Sequence, residues 1–274
     1  MDKILLGIKR DTKKFIMTLL VSIPAVWGIT KPFIDMTGFD THNYWFITVV
    51  IFAILITAII RIYPKNRISI KLKNTNTKIV LEFGDIWKEN HNIVVAANEY
   101  FDSEIGKCVS PRSLHGQFIE QILGGKKTIF DDEIEKSLKK NSYQVEKREI
   151  GKDRKYDIGT VGIVTFSEKK YLILALSNTN EKYEAYTTPS SFLNALAGLW
   201  AKARSECNGF SLSMPLIGTG LGRLGLPEMS VIELIIISIL KSTKESEIAS
   251  EIRLVLYSGN FNDIDLRRIE LAWR

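Results

Sequence analysis

Met214–Pro227 reads M-P-L-I-G-T-G-L-G-R-L-G-L-P. The apolar run Phe210–Ile217 ahead of it has the composition of a buried strand. It leads into Gly218, Gly220, Gly222 and Gly225, and then into Pro227, a favoured first residue of a helix. Strand, glycine turn and helix together build an anion site. Glycines let the backbone come close to a ligand, successive N–H groups line a concavity, and a helix N-terminus adds positive potential. The loop suits a phosphate or a diphosphate. It is not a Walker A loop, because no Gly-Lys-Ser/Thr follows, and it matches the dinucleotide fingerprint only in part. A tight turn that binds nothing is the competing reading.

Working outward, the rest of the chain divides by texture. With 274 residues and a net charge of +6, it has room for one large domain or a domain with an appendage. Cys108 and Cys207 are far apart, as expected of free thiols in a reducing compartment, and His42, His91 and His115 are scattered, so no zinc site is indicated. The apolar residues concentrate in two N-terminal blocks. A spanning helix needs about 20 residues to cross about 30 Å of hydrocarbon. Tyr44–Ile62 meets that length, whereas Phe15–Ile34 does so only by including Pro24, Lys31 and Pro32. A cleaved signal peptide competes for the first block, but no small-residue cleavage site follows it. The expectation is a transmembrane hairpin over residues 1–65, with buried helices of a soluble protein as the alternative. Lys3, Lys9, Arg10, Lys13 and Lys14 precede the first span, and Arg61, Lys65, Arg67, Lys71 and Lys73 follow the second. The segment Thr30–Asn43 between them carries Lys31 with Asp35 and Asp40. The positive-inside rule then places both termini in the cytoplasm, and the basic flanks match anionic lipid.

From Ile68 the chain reads as an α/β domain over residues 68–274. Strands are expected at Ile68–Lys73, Ile79–Phe83, Asn92–Ala97, Val161–Phe166, Tyr171–Ser177, Phe210–Leu216 and Ile252–Tyr257. Helices are expected at Pro111–Leu123, Asp131–Lys140, Pro189–Glu206, Pro227–Leu240 and Asn262–Glu270. The charged stretch Lys136–Lys155 reads as solvated surface. Alternating elements imply a sandwich with helices on both faces of the sheet, and ligands sit at the carboxyl ends of strands in such folds. Besides the glycine loop, Phe83–Trp87 and Val94–Asn98 would gather there. Asp85 could accept from an exocyclic amine and Asn98 could bond a ribose; a helix cap and a turn residue are the plain alternatives.

The order G-D-I at Gly84–Ile86, I-V-V-A-A-N at Ile93–Asn98 and P-L-I-G-T-G-L-G-R-L-G at Pro215–Gly225 resembles the macro domain, a reader of ADP-ribose. The resemblance implies a three-layer α/β/α fold with a mixed sheet. It implies Asp85 and Ile86 at the adenine, Asn98 at the distal ribose, and Ile217, Gly218, Thr219, Gly220, Leu221 and Gly222 around the diphosphate, with Thr219 as a hydroxyl donor. Phe261, or else Tyr257, would pack on the adenine. Members that hydrolyse ADP-ribose linkages carry V-N-A-A-N and a glycine run. Here Val95 replaces the first asparagine and Phe101–Gly106 replaces the glycines, so binding without catalysis is expected. Asp102 and Glu104 would face a cationic group on the distal ribose, unless they are solvated loop charges.

Two spans ahead of such a domain resemble the membrane effector of Thoeris anti-phage defence. That resemblance implies a bacterial inner-membrane protein that reads an ADP-ribose derivative, such as an amino-acid conjugate like histidine-ADP-ribose. The signal is made by a partner TIR-domain protein that consumes NAD, and the reader assembles into homo-oligomers that compromise the lipid bilayer. A membrane-tethered ADP-ribosyl hydrolase is the alternative. Nucleic acid is a poor fit, since the positive charge concentrates beside the spans and no aromatic-basic interleaving marks the rest.

Overall fold

A computed structural model describes residues 3–37, 44–72, 75 and 77–273. It divides into two compact units, Met1–Lys65 and Asn66–Arg274. The first unit is helical: α1 is Lys3–Arg10, α2 is Thr12–Thr37 and α3 is Tyr44–Ile62. Thr12–Met36 is the one described helix long and apolar enough to cross a bilayer, and the apolar stretch Thr48–Ile62 of α3 is shorter. The sequence ranked these two blocks the other way, on account of the prolines. Each proline removes one N–H, yet α2 runs on through both Pro24 and Pro32, so neither shortens it. Leu20, Val21, Ile23 and Trp27 of α2 and Phe52 and Ile60 of α3 are each more than half exposed. Of the expected connecting segment Thr30–Asn43, Thr30–Thr37 continue α2 and residues 38–43 lie outside the described residues, as does Lys73 at the end of the first expected strand.

The second unit is built on one sheet. Its strands are β1 (Arg67–Lys71), β2 (Lys78–Gly84), β3 (Asn92–Asn98), β6 (Val161–Phe166), β7 (Lys169–Thr179), β8 (Ala185–Tyr186), β9 (Leu212–Pro215) and β10 (Glu251–Tyr257), and β4 (Gln144–Val145) pairs separately with β5 (Arg154–Lys155). The order across the main sheet is β1-β2-β10-β9-β3-β7-β6. Strands β2, β10, β9, β3 and β7 run parallel, while β1 and β6 are antiparallel edges, so the sheet is mixed.

Period-2 alternation decides which side chains face which layer. On β3, Val94 joins the core beneath α6 (Pro189–Glu206), α7 (Glu228–Thr243) and α8 (Leu266–Ala272). Ile93, Val95 and Ala97 of the same strand join the opposite core beneath α5 (Lys127–Leu138) and the Phe118–Ile122 turn. Helices therefore cover both faces, and the three-layer α/β/α architecture is observed. Helix α6 begins at a reciprocal cap: the Ser191 N–H donates to Thr188 Oγ1 at 3.2 Å and the Thr188 N–H donates to Ser191 Oγ at 2.9 Å.

Four elements differ from expectation, the last helix among them: α8 begins at Leu266 rather than Asn262, which ends a 3-10 turn at Ser258–Asn262. The helix expected over Pro111–Leu123 is one α-helical turn, Leu114–Gln117 (α4), followed by a π-helical turn at Phe118–Ile122. Helix α5 starts at Lys127, four residues ahead of the expected Asp131. The charged stretch Lys136–Lys155 contains the β4–β5 ribbon and one buried arginine, Arg148, whose side chain is 8% exposed.

Candidate functional site

The carboxyl ends of β3, β7 and β9 surround a cavity of about 410 Å³. One wall is the loop that leaves β9, another the end of β3 at Ala96–Asn98. The segment Cys108–His115, the end of β7 at Leu176–Thr179 and the β7–β8 connection with Tyr183 and Glu184 complete it. A second groove of about 500 Å³, at Gly159, Asn194 and Lys202, contains none of the expected residues.

The glycine loop forms the cradle. Gly218 sits at φ +88°, where its missing side chain leaves room for Phe192, which a Cβ would meet at 3.1 Å. At Gly220 a Cβ would meet nothing within 4 Å, so open space lies above the backbone. The loop closes on itself through Arg223 N–H to Gly220 O at 3.1 Å and Leu224 N–H to Gly218 O at 3.2 Å. Among the described residues, the five N–H groups from Gly218 to Gly222 donate to no acceptor of the chain. A row of such donors around a concavity suits an anion. No residue of α7 lines the cavity, and Leu224–Pro227 separate the cavity's last lining residue, Arg223, from the helix. Pro227 is the cap of α7, and Glu228 is its first residue.

Of the residues expected from sequence, Asn98, Ile217, Gly218, Gly220, Leu221 and Gly222 line the cavity. Thr219 does not, and its hydroxyl donates back to Leu216 O at 3.3 Å. Asp85 lies at the end of β2, where its carboxylate accepts the Trp87 N–H at 3.1 Å and caps a 3-10 turn, Ile86–Lys88. Ile86 is buried in the core beneath α5. Phe261 packs edge-on against Phe83 with centroids 5.0 Å apart, and Tyr257 is 74% exposed. Gly84 and Tyr257 are register partners, so these residues form a second group at the β2–β10 ends, outside the cavity lining.

The carboxylates of the Phe101–Gly106 loop differ most from expectation. Asp102 is fully buried and pairs with Arg148 at 3.0 Å, and Glu104 pairs with Lys127 at 2.6 Å. The cations that satisfy them therefore come from the chain itself, and neither carboxylate lines the cavity. That ion pair with Lys127 lowers the Glu104 carboxyl. Val95, standing where hydrolases have asparagine, is buried in the core beneath α5.

Sequence reasoning did not single out His115, which lines the cavity and is 4% exposed. Burial, aided by the charge of Lys152, pushes its pKa down to about 3, so the imidazole is neutral, and its buried Nε2 has no partner among the described residues. The folded pKa lies below the unfolded one, so this contribution to stability is complete above about pH 6.5. Below that the unfolded state takes up the proton first, and stability falls as pH drops toward 3. Replacement by glutamine, His115→Gln, is expected to shrink the difference in unfolding midpoint between pH 7 and pH 5. An undiminished difference would assign the pH dependence to other groups.

A mixed α/β/α sandwich with a glycine-rich loop at its strand ends is the architecture of a macro domain. Residues 79–257, more than half of the chain, match the family profile described as "Thoeris protein ThsA, Macro domain", and the chain belongs to that family. It is similar to the Thoeris protein ThsA of Bacillus amyloliquefaciens (strain Y2), with 23% identity over 272 residues, covering 94% of this chain and 88% of the relative. Among solved structures, a mutant of the Oceanobacillus iheyensis macrodomain aligns with a TM-score of 0.49 and 16% identity, over 76% of this chain and 98% of that one. The same macrodomain with ADP gives 0.45 and 16%, over 75% and 96%. The Trypanosoma brucei macrodomain in complex with ADP-ribose gives 0.43 and 12%, over 68% and 66%.

Proposed function

We propose that the second unit binds an ADP-ribose-derived nucleotide signal in this cavity, and that the first anchors the chain in a bacterial inner membrane. The observation that carries the reading is the row of unpartnered N–H groups from Gly218 to Gly222 beside Asn98. It offers a diphosphate several donors at once without requiring a metal or a lysine. The ligand is an ADP-ribose derivative, with amino-acid conjugates such as histidine-ADP-ribose among the candidates, made by a partner TIR-domain protein that consumes NAD.

In this reading α2 and α3 both span the bilayer, with both termini cytoplasmic. Their outward Leu20, Ile23, Trp27, Phe52 and Ile60 would then meet lipid rather than water. Signal binding drives homo-oligomerisation by linkage, because a ligand that prefers the assembled state shifts the population toward it. Clustered spans then compromise the membrane in anti-phage defence.

The protein acts as a receptor and not as an enzyme, a reading supported by Val95 and the Phe101–Gly106 loop where hydrolases have asparagine and glycines. Asn98 also has its side chain engaged by Asp102. Calorimetry of the full chain in detergent against ADP-ribose, cyclic variants and amino-acid conjugates tests the reading, with binding to at least one expected. Release of ADP-ribose from a conjugate, lost on Asn98→Ala, would instead establish the membrane-tethered hydrolase.

A further inference from the structure

The buried arginine of the charged stretch leads back to the cavity. Arg148 Nη1 donates to Asp102 Oδ2 at 3.0 Å and to Oδ1 at 3.2 Å, and its guanidinium lies 3.8 Å from the Tyr100 ring centroid. The Lys152 N–H adds a bond to Asp102 Oδ1 at 2.8 Å. The backbone approaches this closely because residue 151 is glycine at φ +89°; a Cβ there would collide with the Asp102 carboxylate and Cys108 Sγ.

Asp102 in turn holds Asn98. Asn98 Nδ2 donates to Asp102 Oδ2 at 2.8 Å, and the Asp102 N–H donates to Asn98 Oδ1 at 3.2 Å. An ionised carboxylate accepts and never donates, so Asn98 must turn its amino group toward Asp102. That fixes which way the carboxamide faces, and it leaves one Nδ2 hydrogen and one Oδ1 lone pair for a ligand. A buried carboxylate without its cation would be costly, so the arrangement depends on Arg148.

We infer that Arg148 is a positioning residue for ligand binding: through Asp102 it sets the Asn98 carboxamide at the ribose end of the cavity. The inference rests on the proposal that the cavity takes an ADP-ribose-type ligand, and it deepens that proposal. The connection between β4 and β5 thereby becomes part of the binding machinery, although no residue of it lines the cavity.

The test uses the full chain in detergent, with ADP-ribose and ADP as probes. Both carry adenosine and diphosphate, and only ADP-ribose brings a second ribose to Asn98. Arg148→Met is expected to weaken ADP-ribose binding by roughly tenfold or more, as for a buried hydrogen-bond network left without one partner, while ADP binding stays within about twofold. Arg148→Lys keeps the charge without the planar fork and should recover part of the loss. Equal losses for both probes would reduce Arg148 to a structural clamp and overturn the inference, as would unchanged ADP-ribose binding. Should Arg148→Met fail to fold, Arg148→Lys carries the same comparison: a loss selective for ADP-ribose supports the inference and a shared loss overturns it. Wild-type protein that binds neither probe would instead sink the underlying reading of the cavity, and the inference with it. Wild-type protein that binds ADP as tightly as ADP-ribose would overturn the inference, because Asn98 then contributes nothing at a second ribose, while the reading of the cavity as a nucleotide site stands.

Discussion

Gly220→Glu abolishes ADP-ribose binding by the full chain, in the outcome expected from the cradle, and leaves its unfolding midpoint nearly unchanged. A Cβ at Gly220 meets nothing within 4 Å and the residue is exposed, so a side chain fits without displacing the protein's own atoms. Its φ lies outside the left-handed region, so no backbone strain accompanies the change. What the glutamate occupies is the space over the N–H row, and it brings a negative charge to where a diphosphate would lie. Two like charges about 4 Å apart repel by about 4 kcal/mol at an effective dielectric constant of about 20. Even after relaxation, a loss of at least about a hundredfold, ~2.7 kcal/mol, is expected by calorimetry. Gly218→Ala makes the contrast, because φ +88° and the Phe192 contact at 3.1 Å direct its cost to the fold itself. Affinity that survives Gly220→Glu would place the ligand somewhere other than this loop.

Much of the architecture was legible because it follows from local rules. The alternation of β3 places Val94 and Val95 on opposite faces, and the Thr188–Pro189 start of α6 is a cap signal readable at one position. The glycine loop was legible too, since Gly218 and Gly225 take positive φ in the turn that the sequence implied. What could not be read is non-local. Arg148 and Asp102 are 46 residues apart, and nothing in either segment announces the partner, so a charged ribbon read as solvated surface and a loop carboxylate read as a ligand contact. His115 was one of three scattered histidines until the fold placed it in the cavity wall. Asp85 shows the opposite limit. Its plain role as a cap is realised, with its carboxylate on the Trp87 N–H, and contact with an adenine would require it to serve a second acceptor function from the same exposed position.

The other large effect concerns the first unit. Deleting residues 1–62 is expected to give a protein that is soluble without detergent, binds ADP-ribose with unchanged affinity, and does not harm cells in which the signal is produced. Folding should survive, because neither core of the second unit includes a residue before Ile68, and the whole sheet lies within Asn66–Arg274. Binding should survive, because every cavity residue lies between Ala96 and Arg223. Solubility should improve, because the deletion removes helices whose outward surface includes Leu20, Val21, Ile23, Trp27, Phe52 and Ile60. If the membrane is where the protein acts, toxicity must go with those helices, and a fragment that stops growth as fully as the intact chain would show that membrane action is the wrong mechanism. A fragment that is soluble yet no longer binds ADP-ribose would instead make the helices part of the receptor rather than only its anchor. Growth curves and calorimetry on the same fragment separate these results, because one reads what the helices do and the other reads what the cavity holds.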